Sequence, residues 1–135
     1  MVQLADAQLI IDTDIVVDYL RGREATLEAA LLRYECAITA ICLYELLAVR
    51  VRSPRQEGLI EQLRSVVSVL PFNAEAATFA AQVWRELGAQ GLSIGLPDTL
   101  VVGTCLAHRL PLLTRNTEHF QRVPGLAVLA PDEIV

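Results

Sequence analysis

The apolar run Leu9-Ile10-Ile11 is closed abruptly by a carboxylate, Asp12. No other feature constrains the fold as strongly. So short a run reads as a strand, and its unbroken apolarity reads as a strand covered on both faces. An acid at its end then stands at the C-terminal edge of a sheet, where open α/β sheets bind their ligands. Glu45 and Asp98 stand just past two later elements, and Asn116 follows the run Leu110-Pro111-Leu112-Leu113-Thr114. If the strands are parallel neighbours, these distant residues converge on one acidic pocket. Carboxylates gathered at neutral pH repel, and some stay protonated unless a cation neutralises them. The cation suited to such oxygens is hard, Mg²⁺ or Mn²⁺.

The rest of the chain supports a parallel sheet. Strands are expected at 9–12, 36–39, 69–71, 112–113 and 126–129. Helical segments separate them: from Asp14 to a stop at Gly22, 24–34, one carrying Glu45 in its early turns, 55–67, one capped by Asn73, one with Pro97 at its first position running to His108, and a short one at 117–120. The helix after Asn73 carries Ala76, Phe79, Ala80, Val83 and Leu87 on one stripe. Alternating strands and helices predict a three-layer α/β/α domain over residues 1–135, with four to five parallel strands and right-handed connections. The Gly-rich loop 88–95 lacks a phosphate-binding pattern.

Composition narrows the classes further. No apolar run approaches the roughly 20 residues of a membrane span. The N-terminus MVQLADAQ has no positive region, so no secretory signal is read and a cytoplasmic location is expected. Cys36, Cys42 and Cys105 sit inside apolar runs and read as buried free thiols, with no zinc spacing among them. The net charge of −5 gives no general attraction for nucleic acid, yet all 11 basic residues are Arg, which favours bidentate contacts to carboxylate and phosphate. Arg21 with Arg23, Arg50 with Arg52 and Arg55, and Arg115 with Arg122 form clusters, most of them read as solvated surface. Hydrophobic residues make up 53%, more than a small monomer needs to bury, so a homodimer is expected.

Each acid has a structural reading beside the functional one. Asp14 suits a helix N-cap, and Asp18 suits a solvated helix face. Asp12 resists such a reading, because a carboxylate closing a buried run is costly without a partner. Glu45 is the only charge between Ala37 and Val49. Asp98 falls in a first helical turn, where an acid also suits the macrodipole. Thr114 and Asn116 suit a turn, and Glu118 and His119 read as surface residues.

The segments LIIDTD (9–14), GLSIGLPDTLVVG (91–103) and LTRNTEHFQRVPGL (113–126), with the lone Glu45, resemble the motifs of PIN domains, and more narrowly those of VapC toxins from VapBC toxin–antitoxin systems. The resemblance spans essentially the whole chain and is carried most specifically by TRN-x-x-HF-x-RVPGL. It implies a Mg²⁺-dependent endoribonuclease, a dimer, held inactive by a VapB antitoxin. By motif position it puts the catalytic set on Asp12, Glu45, Asp98 and Asn116, with the metal on Asp12, Glu45 and Asp98. Asn116 stands where relatives often carry Asp, and Gly103 where Ala is common. Thr13 and Thr114 are expected to orient the ligands, and Arg115 to hold a phosphate of the RNA.

Two other functions remain. Asp12 to Val16 also fits DxDxV, the opening of haloacid-dehalogenase-like phosphatases, but those need a Lys and a later acidic pair. A response-regulator receiver is set aside, because residues 69–72 hold no acid. A PIN-like fold that only binds a partner is the non-enzymatic alternative.

Overall fold

The computed structural model describes residues 8–135; residues 1–7, on which the reading of the N-terminus rested, lie outside them. Five strands form one sheet: β1 (Gln8–Ile11), β2 (Glu35–Thr39), β3 (Ser68–Leu70), β4 (Leu112–Leu113) and β5 (Val128–Leu129). The spatial order is β3-β2-β1-β4-β5, and every pairing is parallel. Leu9 lies opposite Cys36, and Ile10 opposite Leu112. The chain builds outward from β1 to β3 and then returns to the other side of β1 with β4. The strand order therefore reverses between β1 and β4, and a ligand crevice forms at such a point.

Seven helices connect the strands among the described residues: α1 (Thr13–Leu20), α2 (Ala25–Arg33), α3 (Ala40–Leu47), α4 (Pro54–Val66), α5 (Ala74–Ala89), α6 (Leu96–His108) and α7 (Thr117–Phe120). The two-residue period of the strands sorts the core into two layers. Leu9, Ile11, Cys36, Ile38 and Leu113 pack with Ile15, Leu27, Leu46 and Leu63 from α1 to α4. Ile10, Ala37 and Leu112 point the other way, onto Val83, Leu87, Val102 and Phe120 from α5 to α7. This is the expected three-layer arrangement. All three cysteines are free and buried.

The element ends follow local chemistry. Asp12 is not the last strand residue but the N-cap of α1, its side chain accepting from Thr13 N. Asp14, expected at the cap, lies inside the first turn. α4, expected at 55–67, opens one residue earlier at Pro54, because Ser53 and Gln56 form a capping box around it. Asn73 caps α5 as expected, accepting from Ala76 N at 3.0 Å. Arg109 turns out of α6 with φ 56°, a left-handed stop. A 3₁₀ turn at Pro131–Glu133 had no counterpart in the sequence reading.

The α5–α6 contact explains Gly103. A Cβ there would fall on the Ala76 carbonyl oxygen and lie 2.7 Å from Ala80 Cβ. Small residues on both helices let the backbones touch. Among the described residues no helix is long and apolar enough to cross a membrane.

Candidate active site

Asp12 leaves β1 at the point where the strand order reverses, and its neighbour across the crevice is Thr114, just past β4. The backbone closes that junction: Asp12 N donates to Leu113 O at 2.9 Å. Thr114 is fully buried, and its hydroxyl lies 2.8 Å from Asp12 Oδ2 and 3.3 Å from Asp14 Oδ2. A hydroxyl carries one hydrogen, and the shorter contact takes it. The same oxygen accepts the Asn116 backbone N–H at 3.1 Å.

Asp12 is only 8% exposed. Burial, then the charge of Asp14, push its carboxyl up to about 7; the Thr114 hydroxyl and the Thr13 N–H pull against them, and Asp98 adds a smaller upward push. Asp14 is also raised, chiefly by burial, against the lowering effect of the Arg115 N–H and charge. Its Oδ2 accepts that N–H at 3.1 Å, while its Oδ1 is buried with no hydrogen-bond partner. Asp14 is therefore turned inward beside Asp12, which the cap reading missed. The available signal was its position two residues after Asp12, in the turn that Asp12 caps over the sheet edge.

Glu45 comes from the second turn of α3, whose cap Thr39 ends β2. Its Oε1 accepts the Thr13 hydroxyl at 2.8 Å, so Thr13 ties the Glu45 carboxylate to the residue after Asp12. Asp98 lies in the first turn of α6, which Gly95 enters with φ 87°. Its Oδ2 is 2.8 Å from His119 Nε2, which also lies 3.1 Å from the Ile94 carbonyl. His119 is thus half-buried against an acid of the site, not a surface residue. Glu118 is exposed. Asn116 is exposed too, and what joins it to the network is its backbone, not its side chain.

Arg115 differs from expectation in its partner. Its Nε lies 2.8 Å from Asp18 Oδ2, and Arg23 Nη2 lies 3.0 Å from Asp18 Oδ1. Asp18 is accordingly not a solvated face residue; its side chain is 13% exposed beneath two guanidinium groups. Within the Arg50–Arg55 cluster two members serve the fold: Arg52 reaches the Leu46 and Leu47 carbonyls at the end of α3, and Arg55 reaches Leu20 O and Glu24.

Two largely apolar features stand out, of which only the first reaches these residues. A cavity of about 180 Å³ between α1, α3 and α4 runs from Thr13 and Glu45 past Val17, Leu20, Leu46 and Ile60. On the opposite layer Trp84 and Leu96 are 50% and 58% exposed, beside Phe72, Ala77 and Leu100. Among the described residues no three acidic, histidine or cysteine side chains surround one point closely enough to grip an ion unaided.

Comparison with known proteins assigns the family. The PIN domain profile matches residues 9–126. The chain is 36% identical over 128 residues to ribonuclease VapC of Rickettsia bellii, covering 90% of this chain and 94% of that protein. It is 30% identical over 124 residues to a Shigella flexneri protein described as tRNA(fMet)-specific endonuclease VapC, covering 88% and 94%. In fold it resembles VapBC-1 from nontypeable Haemophilus influenzae, with a TM-score of 0.82 at 22% identity over 93% of this chain and 98% of that one. Matched by the family profile over residues 9–126 and by a VapC relative over nine-tenths of its length, the chain belongs to the PIN-domain family and, within it, to the VapC ribonucleases.

Proposed function

We propose that this chain is the toxin of a type II toxin–antitoxin pair, an endoribonuclease dependent on Mg²⁺ or Mn²⁺ that acts in the cytoplasm. The carrying observation is the strain of charge at the switch point. Asp12 and Asp14 are both pushed upward by burial, Asp12 additionally by its acidic neighbours, and Asp14 Oδ1 is buried without a partner. Such a donor set suits a hard divalent cation. Mg²⁺ is commonly held by one or two carboxylates with waters and substrate phosphate completing its shell, so a preformed cage of three acids is not required. Asp12, Glu45 and Asp98 would hold it, with Asn116 and Asp14 beside them. When bound, the ion supplies the charge that lowers the pKa of a water and offsets charge developing on the phosphate.

The protein's own groups do the positioning. Thr114 holds Asp12 in one rotamer, and Thr13 holds Glu45, so both carboxylates are oriented from behind. Arg115 meets Asp18 through Nε, which leaves the outer guanidinium nitrogens for a phosphate of the RNA. Because the net charge is −5, the RNA is held locally and not by a general field.

The partners follow from the surfaces. The apolar cavity reaching Thr13 and Glu45 suits a segment of a VapB antitoxin that orders on binding and places an Arg or Lys against the acids. The Trp84–Leu96 surface suits a second copy of this chain. The test is cleavage of RNA, tRNA included, by the purified chain. Cleavage is expected with Mg²⁺, and loss with EDTA, in Asp12→Asn and in Glu45→Gln, all folded. A protein that binds its antitoxin but cuts no RNA would overturn the nuclease reading in favour of a PIN-like binding protein. A phosphatase reading has no support, since the chain contains no lysine.

A further inference from the structure

Ile94, Asp98 and His119 meet where the loop before α6 passes the short helix α7. His119 Nε2 lies 3.1 Å from the Ile94 carbonyl oxygen and 2.8 Å from Asp98 Oδ2. A carbonyl oxygen can only accept. Nε2 must therefore carry a hydrogen, and that one N–H is shared between the backbone of the loop and the carboxylate. The ring is itself held: it meets Phe120 edge-on with centroids 5.2 Å apart, and Phe120 is 1% exposed. Ile94 is buried as well.

The Asp98 side chain is 37% exposed, against 21% for His119. An exposed carboxylate in a first helical turn samples several rotamers, and ordering it costs entropy. Among the described residues His119 is its only side-chain hydrogen-bond partner, and the contact is to Oδ2 alone.

We propose that His119 is a positioning residue for Asp98: its Nε2–H clamps Oδ2 to the Ile94 carbonyl and leaves Oδ1 as the oxygen offered to the divalent cation. The inference rests on the metal-dependent reading of the site. Partners of this kind behind a ligating carboxylate typically matter 10- to 100-fold in metal affinity.

Mn²⁺ binding to the full chain, measured by calorimetry on the wild type and on His119→Gln, His119→Asn and His119→Ala, tests the clamp. The glutamine amide nitrogen reaches the place of Nε2, whereas the asparagine amide reaches only that of Nδ1. His119→Ala and His119→Asn should weaken Mn²⁺ binding by about 10- to 100-fold, while His119→Gln stays within about threefold of wild type. In cleavage assays the loss should appear in the metal concentration needed and not in KM for RNA. Wild-type affinity in His119→Ala would overturn the proposal, and so would equal weakening in all three variants. A wild type that binds Mn²⁺ with this pattern yet cuts no RNA would overturn the nuclease reading and leave the clamp standing.

Discussion

Asp12→Asn should stabilise the metal-free protein, and the gain should grow with pH. In the folded chain the Asp12 carboxyl is pushed from 3.8 up to about 7, mainly by burial and by Asp14. The folded state therefore keeps a proton that the unfolded state gives up. Stability falls as the pH rises from about 4 to about 7, and the loss is complete above that window. At about 1.4 kcal/mol per pH unit, a window of some three units amounts to about 4 kcal/mol from this one group. The amide removes the charge while keeping the shape. Asn caps a helix about as well as Asp, and the Thr114 hydroxyl can rotate to accept from the amide. Asp14, also raised, keeps some pH dependence in the variant. Urea melts in EDTA between pH 4.5 and 8 should show wild type losing stability more steeply, with the variant ahead at pH 7.5 by about 3–4 kcal/mol. Mg²⁺ should narrow the gap by binding the folded wild type alone. Parallel curves for the two proteins, or a less stable variant at pH 7.5, would refute the burial and repulsion assigned to Asp12.

Gly103→Ala should lower stability by about 1–3 kcal/mol in thermal melts, because the added methyl meets the α5 backbone and outweighs the helix preference of alanine. Arg115→Ala should raise the RNA concentration needed for cleavage with little change in melting temperature, since its ion pair with Asp18 is half exposed; the salt dependence of RNA binding should be shallow, reflecting few phosphate contacts. Sedimentation should show a homodimer at micromolar concentration that Trp84→Glu weakens, because Trp84 is half exposed on an apolar surface.

The placement of Asp12 illustrates how the crevice is made. The long-range hydrogen bonds to Asp12 and Asp14 come from Thr114 and the Arg115 N–H, 102 and 101 positions away. They exist because β4 returns to the side of β1 opposite β2. A sheet in which the later strand had continued outward from β3 would have left Asp12 without Thr114, and Thr114 buried with nothing to donate to. The same return brings α7 against the loop before α6, so His119 reaches Asp98.

What the sequence determined by itself is what local periodicity and turn chemistry encode. Leu9-Ile10-Ile11 is too short for a helix and too apolar for a surface, so it had to be an interior strand, and Asp12 had to stand at its edge. The Asn73 cap, the stripe from Ala76 to Leu87 and the stop at Gly22 are equally local, and each lies where it was expected. Only the tertiary structure decided the partners of the charges. Asp14 and Asp18 follow Asp12 at spacings that fit a cap and a solvated face. Asp14 is held by the Arg115 N–H, and Asp18 by the side chains of Arg115 and Arg23. His119 looked like surface because nothing within α7 needs it; its partners are a carbonyl and a carboxylate 25 and 21 residues earlier. Hydrophobic spacing is written residue by residue along the chain, whereas a hydrogen bond between strand ends depends on which strands become neighbours.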